Sequence, residues 1–214
     1  MNRRKFIKNS LIVGAVVATG AIMGNSVLSD NKNSEKKMKI LVLTGSPRKN
    51  GNSNILAENF IKGATEKGHK VYRFDGAFKN VHPCIGCNKC GMDGPCVFND
   101  DFNFVREHIV DADLVVFVTP MYYFGISTQL KAVIDRFYAI NGKIHIPKKA
   151  ALFMTYANNS KHDELPIRTH YEVLLDYLGW KDIGRFVVPG VWTAGSINRT
   201  DYPKKVYEFG KSLS

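Results

Sequence analysis

The chain has four cysteines, and all of them lie within thirteen residues, at Cys84, Cys87, Cys90 and Cys96. Their pattern is C-x2-C-x2-C-x5-C, and glycines and a proline in the same segment allow the backbone to turn tightly. Four thiols on one short loop can converge on a single inorganic centre. Because compact C-x2-C-x2-C runs are typical of iron–sulfur clusters, the spacing predicts a cluster that transfers electrons.

Two other chemistries stay open for these thiols. Zinc also binds four thiolates, although structural zinc sites usually join two C-x2-C pairs across a longer gap. Disulfides become an alternative if the protein is exported to an oxidising compartment. Against them, C-x2-C pairs lie too close in sequence to cross-link distant elements. The spacing favours iron–sulfur binding over zinc or disulfides without excluding either.

The segment from Thr44 to Ser53 has the composition of a phosphate-binding loop. It reads Thr-Gly-Ser-Pro-Arg-Lys-Asn-Gly-Asn-Ser and directly precedes a predicted helix. Backbone amides and the helix dipole attract an anion at such a position, and Arg48 and Lys49 add positive charge. The segment matches neither the Walker A motif nor G-x-G-x-x-G. We therefore expect it to bind one phosphate group of a mononucleotide.

A second segment, Thr119-Pro-Met-Tyr-Tyr-Phe-Gly125, carries three consecutive aromatic residues. A solvated loop would normally avoid such a run, so a flat apolar ligand is the expected reason for it. The competing interpretation is that the aromatics cover a sheet edge or a subunit interface.

Alternating strands and helices position these segments. The predicted strands are residues 38–44, 70–74, 114–119, 150–156 and 183–189; the first is a short β-branched and aliphatic run, and 114–119 is the most apolar. The predicted helices include residues 54–67, 127–138 and 203–213, one that begins at Asp100 and Asp101, and one around Tyr171–Leu178. This alternation predicts an α/β fold with a doubly wound, five-stranded parallel sheet and helices on both faces. Ligands of such sheets bind beyond the carboxyl ends of the strands.

The first 37 residues differ in character from the rest. Arg3-Arg4 and Phe6 precede a run without charge from Asn9 to Ser29, close to the twin-arginine export signature. We predict a signal segment at residues 1–29, a linker at 30–37 and one domain at 38–214 that contains the cysteine loop 84–96. Export would place the protein in the periplasm or elsewhere outside the cytoplasm. An uncleaved segment would anchor it to the membrane, the only membrane contact that the sequence predicts.

Charge argues against nucleic acid as a partner. The net charge is +11, but residues 1–37 contain seven Lys or Arg and two Asp or Glu, which leaves +6 for residues 38–214. The remaining charges are well mixed, without a long basic run.

The two loops and the cysteine motif, in this order, resemble the NAD(P)H-dependent FMN reductase group of flavodoxin-like proteins and, within it, the iron–sulfur flavoproteins. The resemblance is carried by Gly45–Ser53, Cys84–Cys96 and Thr119–Gly125, with Lys131 and Asp135-Arg136 following. It implies a flavodoxin-like fold with FMN. It implies that the FMN phosphate is bound by Ser46, Arg48, Asn52 and Ser53. It implies that the flavin ring is bound by Pro120, Met121, Tyr122, Tyr123 and Phe124, with Thr155 at its far side.

The resemblance further implies that the four cysteines bind a 4Fe–4S cluster and that Asp135 and Arg136 form a structural ion pair. The implied function is an FMN-dependent oxidoreductase, a homo-oligomer without catalytic side chains of its own. It would pass electrons from a donor through FMN and the cluster to a quinone, a small aromatic molecule or an electron-transfer protein. Two alternatives are a non-enzymatic electron shuttle and an FMN protein whose cysteine loop holds structural zinc or disulfides.

Overall fold

A central sheet organises residues 36–214, which are the residues that the computed structural model of the protein describes. The predicted signal segment and most of the predicted linker lie outside the described residues. The strands are Lys39–Thr44 (β1), Lys70–Asp75 (β2), Leu114–Tyr122 (β3), Gly125–Ile126 (β4), Lys149–Thr155 (β5) and Lys181–Val188 (β6). All pair in parallel except the short β4, which folds back antiparallel on the end of β3.

Helices connect the strands and cover both faces of the sheet. They are Asn52–Glu66 (α1), Phe102–Val110 (α2), Thr128–Asp135 (α3), Asn141–Ile144 (α4), Leu165–Leu178 (α5) and Tyr202–Ser212 (α6). Short 3₁₀ turns lie at Gly76–Phe78, Arg136–Ile140 and Ser196–Arg199. Among the described residues, no helix is long and apolar enough to cross a membrane.

The strand order is β2-β1-β3-β5-β6, which confirms the predicted flavodoxin-like, doubly wound sheet. Successive residues of β1 point into different hydrophobic clusters. Leu41 and Leu43 pack with α2, α3 and α5, whereas Ile40 and Val42 pack with α1 and α6. Because both faces are covered, the central strands are apolar without alternation, the pattern from which the sheet was predicted.

One strand is longer than the sequence predicts. We expected β3 to end at Thr119, with a loop from there to Gly125, but β3 continues to Tyr122. Pro120 has no N–H to donate, so a strand that continues through it is unusual. It lies instead opposite Thr155 at the end of β5, and the next two residues pair with β4. The aromatic segment is therefore a strand end and a tight hairpin rather than an open loop.

Candidate functional site

The predicted phosphate loop closes on itself between β1 and α1. Gly51 donates its backbone N–H to the carbonyl oxygen of Arg48 at 2.9 Å, and the side-chain amide of Asn54 donates to the same oxygen at 2.9 Å. A Cβ atom at Gly51 would lie 2.8 Å from Ser46 Oγ and 2.9 Å from Arg48 O. Only glycine fits there without a clash, and the turn that it allows leads directly into α1.

The start of α1 has the features of an anion site. The Ser53 hydroxyl and the Asn54 side-chain oxygen are buried and have no hydrogen-bond partner among residues 36–214. No acidic residue lies in the first turn, and no side chain caps the helix, which has fifteen residues. Free N–H groups and the helix dipole favour a negative group at this position. Arg48, which lines the same cavity, has no acidic partner in the described part of the chain.

Asn52 lies at the cavity but its side chain is engaged by the protein. Its amide nitrogen donates to the carbonyl oxygens of Val191 at 3.0 Å and Thr193 at 2.9 Å. Its amide oxygen accepts from the backbone N–H of Ile197 at 3.3 Å. The side chain therefore ties the segment after β6 to the phosphate loop, and its contribution to a ligand site is to position this segment.

The aromatic hairpin is held in an unusual conformation. Tyr123 and Phe124 connect β3 and β4, and their φ angles are +46° and +63°. Bulky residues rarely adopt this left-handed region, and such strain persists where surrounding structure enforces it, commonly at binding sites. Tyr123 is fully exposed and Phe124 is about half exposed. The turn therefore presents two aromatic rings to solvent beside the cavity.

Two adjoining cavities collect the predicted cofactor residues at the carboxyl ends of the strands. The first, of about 190 Å³, is lined by Ser46, Arg48, Asn52, Ser53, Pro120, Met121, Tyr122 and Thr155. The second, of about 330 Å³, is lined by Tyr123 and Phe124 and shares Met121 with the first. Ser46 and Thr155, which are 109 positions apart in sequence, thus meet at one edge of the sheet. The second cavity is within the range of volumes of pockets that hold small ligands and cofactors, and the first extends it toward α1.

Four lining residues, Ala157, Asn158, Val191 and Trp192, were not identified from the sequence. Trp192 lines both cavities and is three-quarters exposed, and Val191 and Ala157 lie beside it. Trp192 lies four residues after Val188, the last residue of β6. A large aromatic residue just beyond the carboxyl end of a parallel strand was therefore the available sign of a ligand contact. The Tyr156 hydroxyl is 3.2 Å from Glu164 Oε2. Burial and this carboxylate raise the pKa of Tyr156 to about 12, so its hydroxyl stays protonated.

The cysteine loop brings all four thiols to one other cavity. Cys84 and Cys87 are exposed, Cys90 and Cys96 are half-buried, and none forms a disulfide. All four line a small cavity whose other walls include no carboxylate or imidazole. Within residues 36–214, however, no three His, Cys, Asp or Glu side chains are arranged to hold one metal ion. The donor set is all sulfur, which fits iron–sulfur clusters or zinc, but the thiols do not form a closed metal site.

A buried arginine holds both ends of this loop. Arg136, only 1% exposed, donates to the carbonyl oxygens of His82 at 2.8 Å and Phe98 at 3.3 Å, which flank the four cysteines. It also forms a two-pronged salt bridge with Asp100 at 2.8 and 3.2 Å. Burial alone would raise the pKa of Asp100, but hydrogen bonds from Arg136 and two backbone N–H groups outweigh it and lower the pKa. The rings of His82 and Phe98 stack 4.2 Å apart across the loop base.

This pairing corrects one prediction. We expected Asp135 and Arg136 to pair with each other, but Asp135 pairs with Lys131, four residues earlier on α3. Adjacent residues on a helix point in different directions, so their side chains do not face each other. Arg136 instead points inward and reaches Asp100, 36 residues away.

The tip of the cysteine loop is also attached to the domain. Asp93 accepts a hydrogen bond from the backbone N–H of Lys143 at 3.1 Å, and Asn141 donates its backbone N–H to Met92 O at 2.8 Å. Arg106 donates to Gly94 O at 2.9 Å. Protein contacts at base and tip therefore shape the loop, with positive φ angles at Gly86, Asn88, Gly91 and Met92.

Comparisons with known proteins agree with this geometry. Residues 38–193 match the family model of the NADPH-dependent FMN reductases. An iron–sulfur flavoprotein of Archaeoglobus fulgidus is 29% identical over 178 residues, which cover 83% of this chain and 79% of that protein. An iron–sulfur flavoprotein of Methanocaldococcus jannaschii is 35% identical over 99 residues, 46% of this chain and 51% of that protein, so this match spans about half of the relative's length.

Solved structures share the fold at lower identity. The NAD(P)H:quinone oxidoreductase from Methanothermobacter marburgensis has a TM-score of 0.68 and 17% identity, over 82% of this chain and 96% of that one. The family match covers most of the chain and contains the phosphate loop, the cysteine loop and the aromatic hairpin. The protein therefore belongs to the NADPH-dependent FMN reductase family of FMN-dependent oxidoreductases.

Proposed function

We propose that the protein binds FMN in the two adjoining cavities and transfers electrons through it. The observation that carries this proposal is that the unpartnered Ser53 hydroxyl and the aromatic hairpin meet at one edge of the sheet. The phosphate would lie against the start of α1, near Ser46, Arg48 and Ser53. The ring would lie along residues 120–124, with Thr155 and Trp192 on the opposite wall. Bound FMN supplies both two-electron and one-electron chemistry, while the protein binds and orients it.

We propose that Cys84, Cys87, Cys90 and Cys96 hold a 4Fe–4S cluster that exchanges single electrons with the flavin. The support is the all-sulfur cavity, the compact spacing, and relatives that are named iron–sulfur flavoproteins. The thiols would draw together around the cluster while Arg136 keeps the loop base fixed. Zinc is the alternative occupant of the same donor set.

The compartment in which the protein works would determine its electron donor and acceptor. We propose that the twin-arginine segment exports the folded protein, which would separate it from cytoplasmic NAD(P)H despite its family. The donor would then be a quinol, a cytochrome or another redox protein. The exposed rings of Tyr123, Phe124 and Trp192 at the cavity rim suit contact with a quinone, a small aromatic molecule or a protein partner. A non-enzymatic shuttle would use the same rim, and would lack turnover with small acceptors.

Spectroscopy of anaerobically purified protein tests both cofactors. We expect flavin absorbance from released FMN and about four iron atoms per chain, as the four cysteine ligands imply. Cys90→Ser should remove iron and leave FMN bound, because the phosphate loop is a separate element. Release of FAD instead of FMN would overturn the flavin assignment. One zinc per chain, or two disulfides without iron, would make the cysteine loop structural.

A further inference from the structure

The edge of the sheet opposite the flavin cavities is lined by lysines. Four of the five parallel strands begin with one, namely Lys39, Lys70, Lys149 and Lys181. The strand register places Lys39 beside Lys70, and Lys149 beside Lys181. Lysines therefore lie at the amino ends of the strands on both sides of β3, which begins with Leu114. We call this surface, with the exposed Lys36 and Lys37, the amino edge.

A groove of about 440 Å³ runs along the amino edge. Lysines 36, 149 and 181 line it, and its apolar walls include Ile146, which is 43% exposed, and Pro147. Cationic groups beside exposed apolar side chains match the chemistry of a phospholipid, which has an anionic headgroup and acyl chains.

Acidic groups at the amino edge neutralise only part of its charge. Asp111 pairs with Lys39, Asp113 pairs with Lys36, and Lys149 donates to the terminal Ser214. Lys148 is buried and donates to the carbonyl oxygens of Val110 and Ala112, so its role is structural. Lys37, Lys70 and Lys181 have no acidic partner among residues 36–214, which leaves the amino edge positive.

The N-terminal segment joins the domain at this same edge. Residue 36 lines the groove, and the sequence before it includes the uncharged run 9–29, which has the length of a bilayer-spanning segment. Only the six residues 30–35 separate this run from residue 36, and a chain of that length reaches at most about 25 Å. A domain attached to a membrane by this segment would hold its amino edge close to the lipid headgroups.

We propose that the amino edge binds anionic phospholipid headgroups and docks the domain on a membrane surface. The proposal is independent of the FMN and cluster assignments, since it concerns the opposite edge of the sheet.

Vesicle binding of the full-length protein tests this proposal. The apolar run 9–29 would bind neutral lipid as well, so binding must be compared between two kinds of vesicle. One kind is pure phosphatidylcholine, and the other is phosphatidylcholine with added phosphatidylglycerol. The quantity to measure is the ratio of the protein's partition coefficients, with phosphatidylglycerol over without. The variant K37Q/K70Q/K181Q should lower this ratio roughly tenfold or more, since each lysine near an anionic surface adds to binding. The charge-preserving variant K37R/K70R/K181R should keep the wild-type ratio, and added salt should reduce it.

The matched control removes three exposed lysines elsewhere, as K62Q/K161Q/K204Q, and should leave the ratio unchanged. Flavin absorbance and circular dichroism verify that each variant is folded. The proposal is overturned if K37Q/K70Q/K181Q keeps the wild-type ratio, or if the control loses as much as the test variant. It is equally overturned if phosphatidylglycerol does not increase binding of the wild-type protein.

Discussion

Two buried polar side chains, Ser53 and Arg136, differ in how far the protein satisfies them. The Ser53 hydroxyl has no partner among the described residues, whereas the two terminal nitrogens of Arg136 make four hydrogen bonds and only its Nε is left without a partner. A buried hydroxyl without a partner destabilises the protein until a ligand bonds to it, while an arginine that already makes four hydrogen bonds has a structural role. We therefore assign Ser53 to ligand binding and Arg136 to holding the cysteine loop.

Removal of the Ser53 hydroxyl should weaken FMN binding directly. We expect Ser53→Ala to cost about 1–3 kcal/mol of FMN binding free energy, because a hydrogen bond to a charged phosphate is lost. Fluorescence titration of the FMN-free protein measures the dissociation constant. Ser212→Ala, at the end of α6 and bonded only to Phe209 O, is the matched control and should bind normally. Unchanged affinity in Ser53→Ala would remove this residue from the phosphate site.

Removal of the Arg136 charge should destabilise the fold far more than loss of a surface ion pair. Arg136→Met leaves Asp100 buried without its partner, which typically costs about 3–5 kcal/mol of unfolding free energy. Lys131→Met breaks the pair with Asp135, whose two side chains are 43% and 40% exposed, and should cost less than about 1 kcal/mol. Urea unfolding of both variants makes the comparison. Equal losses would show that Asp100 does not depend on Arg136.

The cysteine motif could be predicted from the sequence, but the salt bridge that holds the base of its loop could not. The spacing of the thiols is local, whereas Arg136 lies 40 residues beyond Cys96 and 36 residues beyond its partner Asp100. Which of several acids an arginine meets depends on how α2 and α3 pack on the sheet. Adjacency in sequence suggested Asp135, and the direction of side chains on a helix made that choice wrong.

At the scale of elements, the hairpin between β3 and β4 concentrates strain. The connection has two residues, and positive φ angles at both are the requirement of a type I′ turn, which favours Asn-Gly. Tyr123 and Phe124 occupy these positions instead. Tyr123 and Phe124 therefore make the turn less stable than Asn-Gly would, and they place two aromatic rings at the mouth of the cavity.

Replacing this turn should separate stability from binding. We expect Tyr123→Asn with Phe124→Gly to raise the unfolding free energy of the FMN-free protein by about 1–2 kcal/mol, because the left-handed conformations suit Asn and Gly. The same change should weaken FMN binding, because the rings are lost. Urea unfolding and FMN titration measure the two effects. A less stable variant would mean that the rings stabilise the fold through contacts that outweigh the strain.

The elements themselves were largely predictable because their signals are local. Apolar runs marked the central strands β1 and β3, alternation with helices indicated the others, and Leu130, Val133, Ile134 and Phe137 were correctly predicted to be buried. The end of β3 was missed because pairing with β4, not the residue type at Pro120, decides it. Trp192 was missed because its place at the cavity depends on Asn52 drawing the segment after β6 to the phosphate loop.

At the scale of the whole molecule, the parallel sheet separates two kinds of surface. The amino ends of the strands carry the lysines, and the carboxyl ends carry the cavities. Between these two edges, helices cover both faces of the sheet. Parallel strands make this division automatic, because every strand starts at one edge and finishes at the other.

Export of the whole molecule should depend on the paired arginines. We expect replacement of Arg3 and Arg4 by lysine to retain the protein in the cytoplasm, because the motif, and not its charge alone, directs the route. Cell fractionation with an antibody to the protein measures the distribution. Lys5→Arg with Lys8→Arg also preserves charge and should be exported normally. Normal export of the double lysine variant would contradict the proposed signal.

The distance across the sheet decides which redox partners can approach the flavin cavity. Strand β5 runs from Lys149 at the amino edge to Thr155 at the cavity, which is about 20 Å of extended chain. With the amino edge on a membrane, the cavity mouth faces the aqueous phase at that height above the headgroups. A quinone confined to the hydrocarbon layer could not reach Tyr123 or Trp192 from there. Of the donors and acceptors proposed above, docking on a membrane would therefore favour a cytochrome, another redox protein or a small water-soluble molecule over a quinol or quinone held within the bilayer.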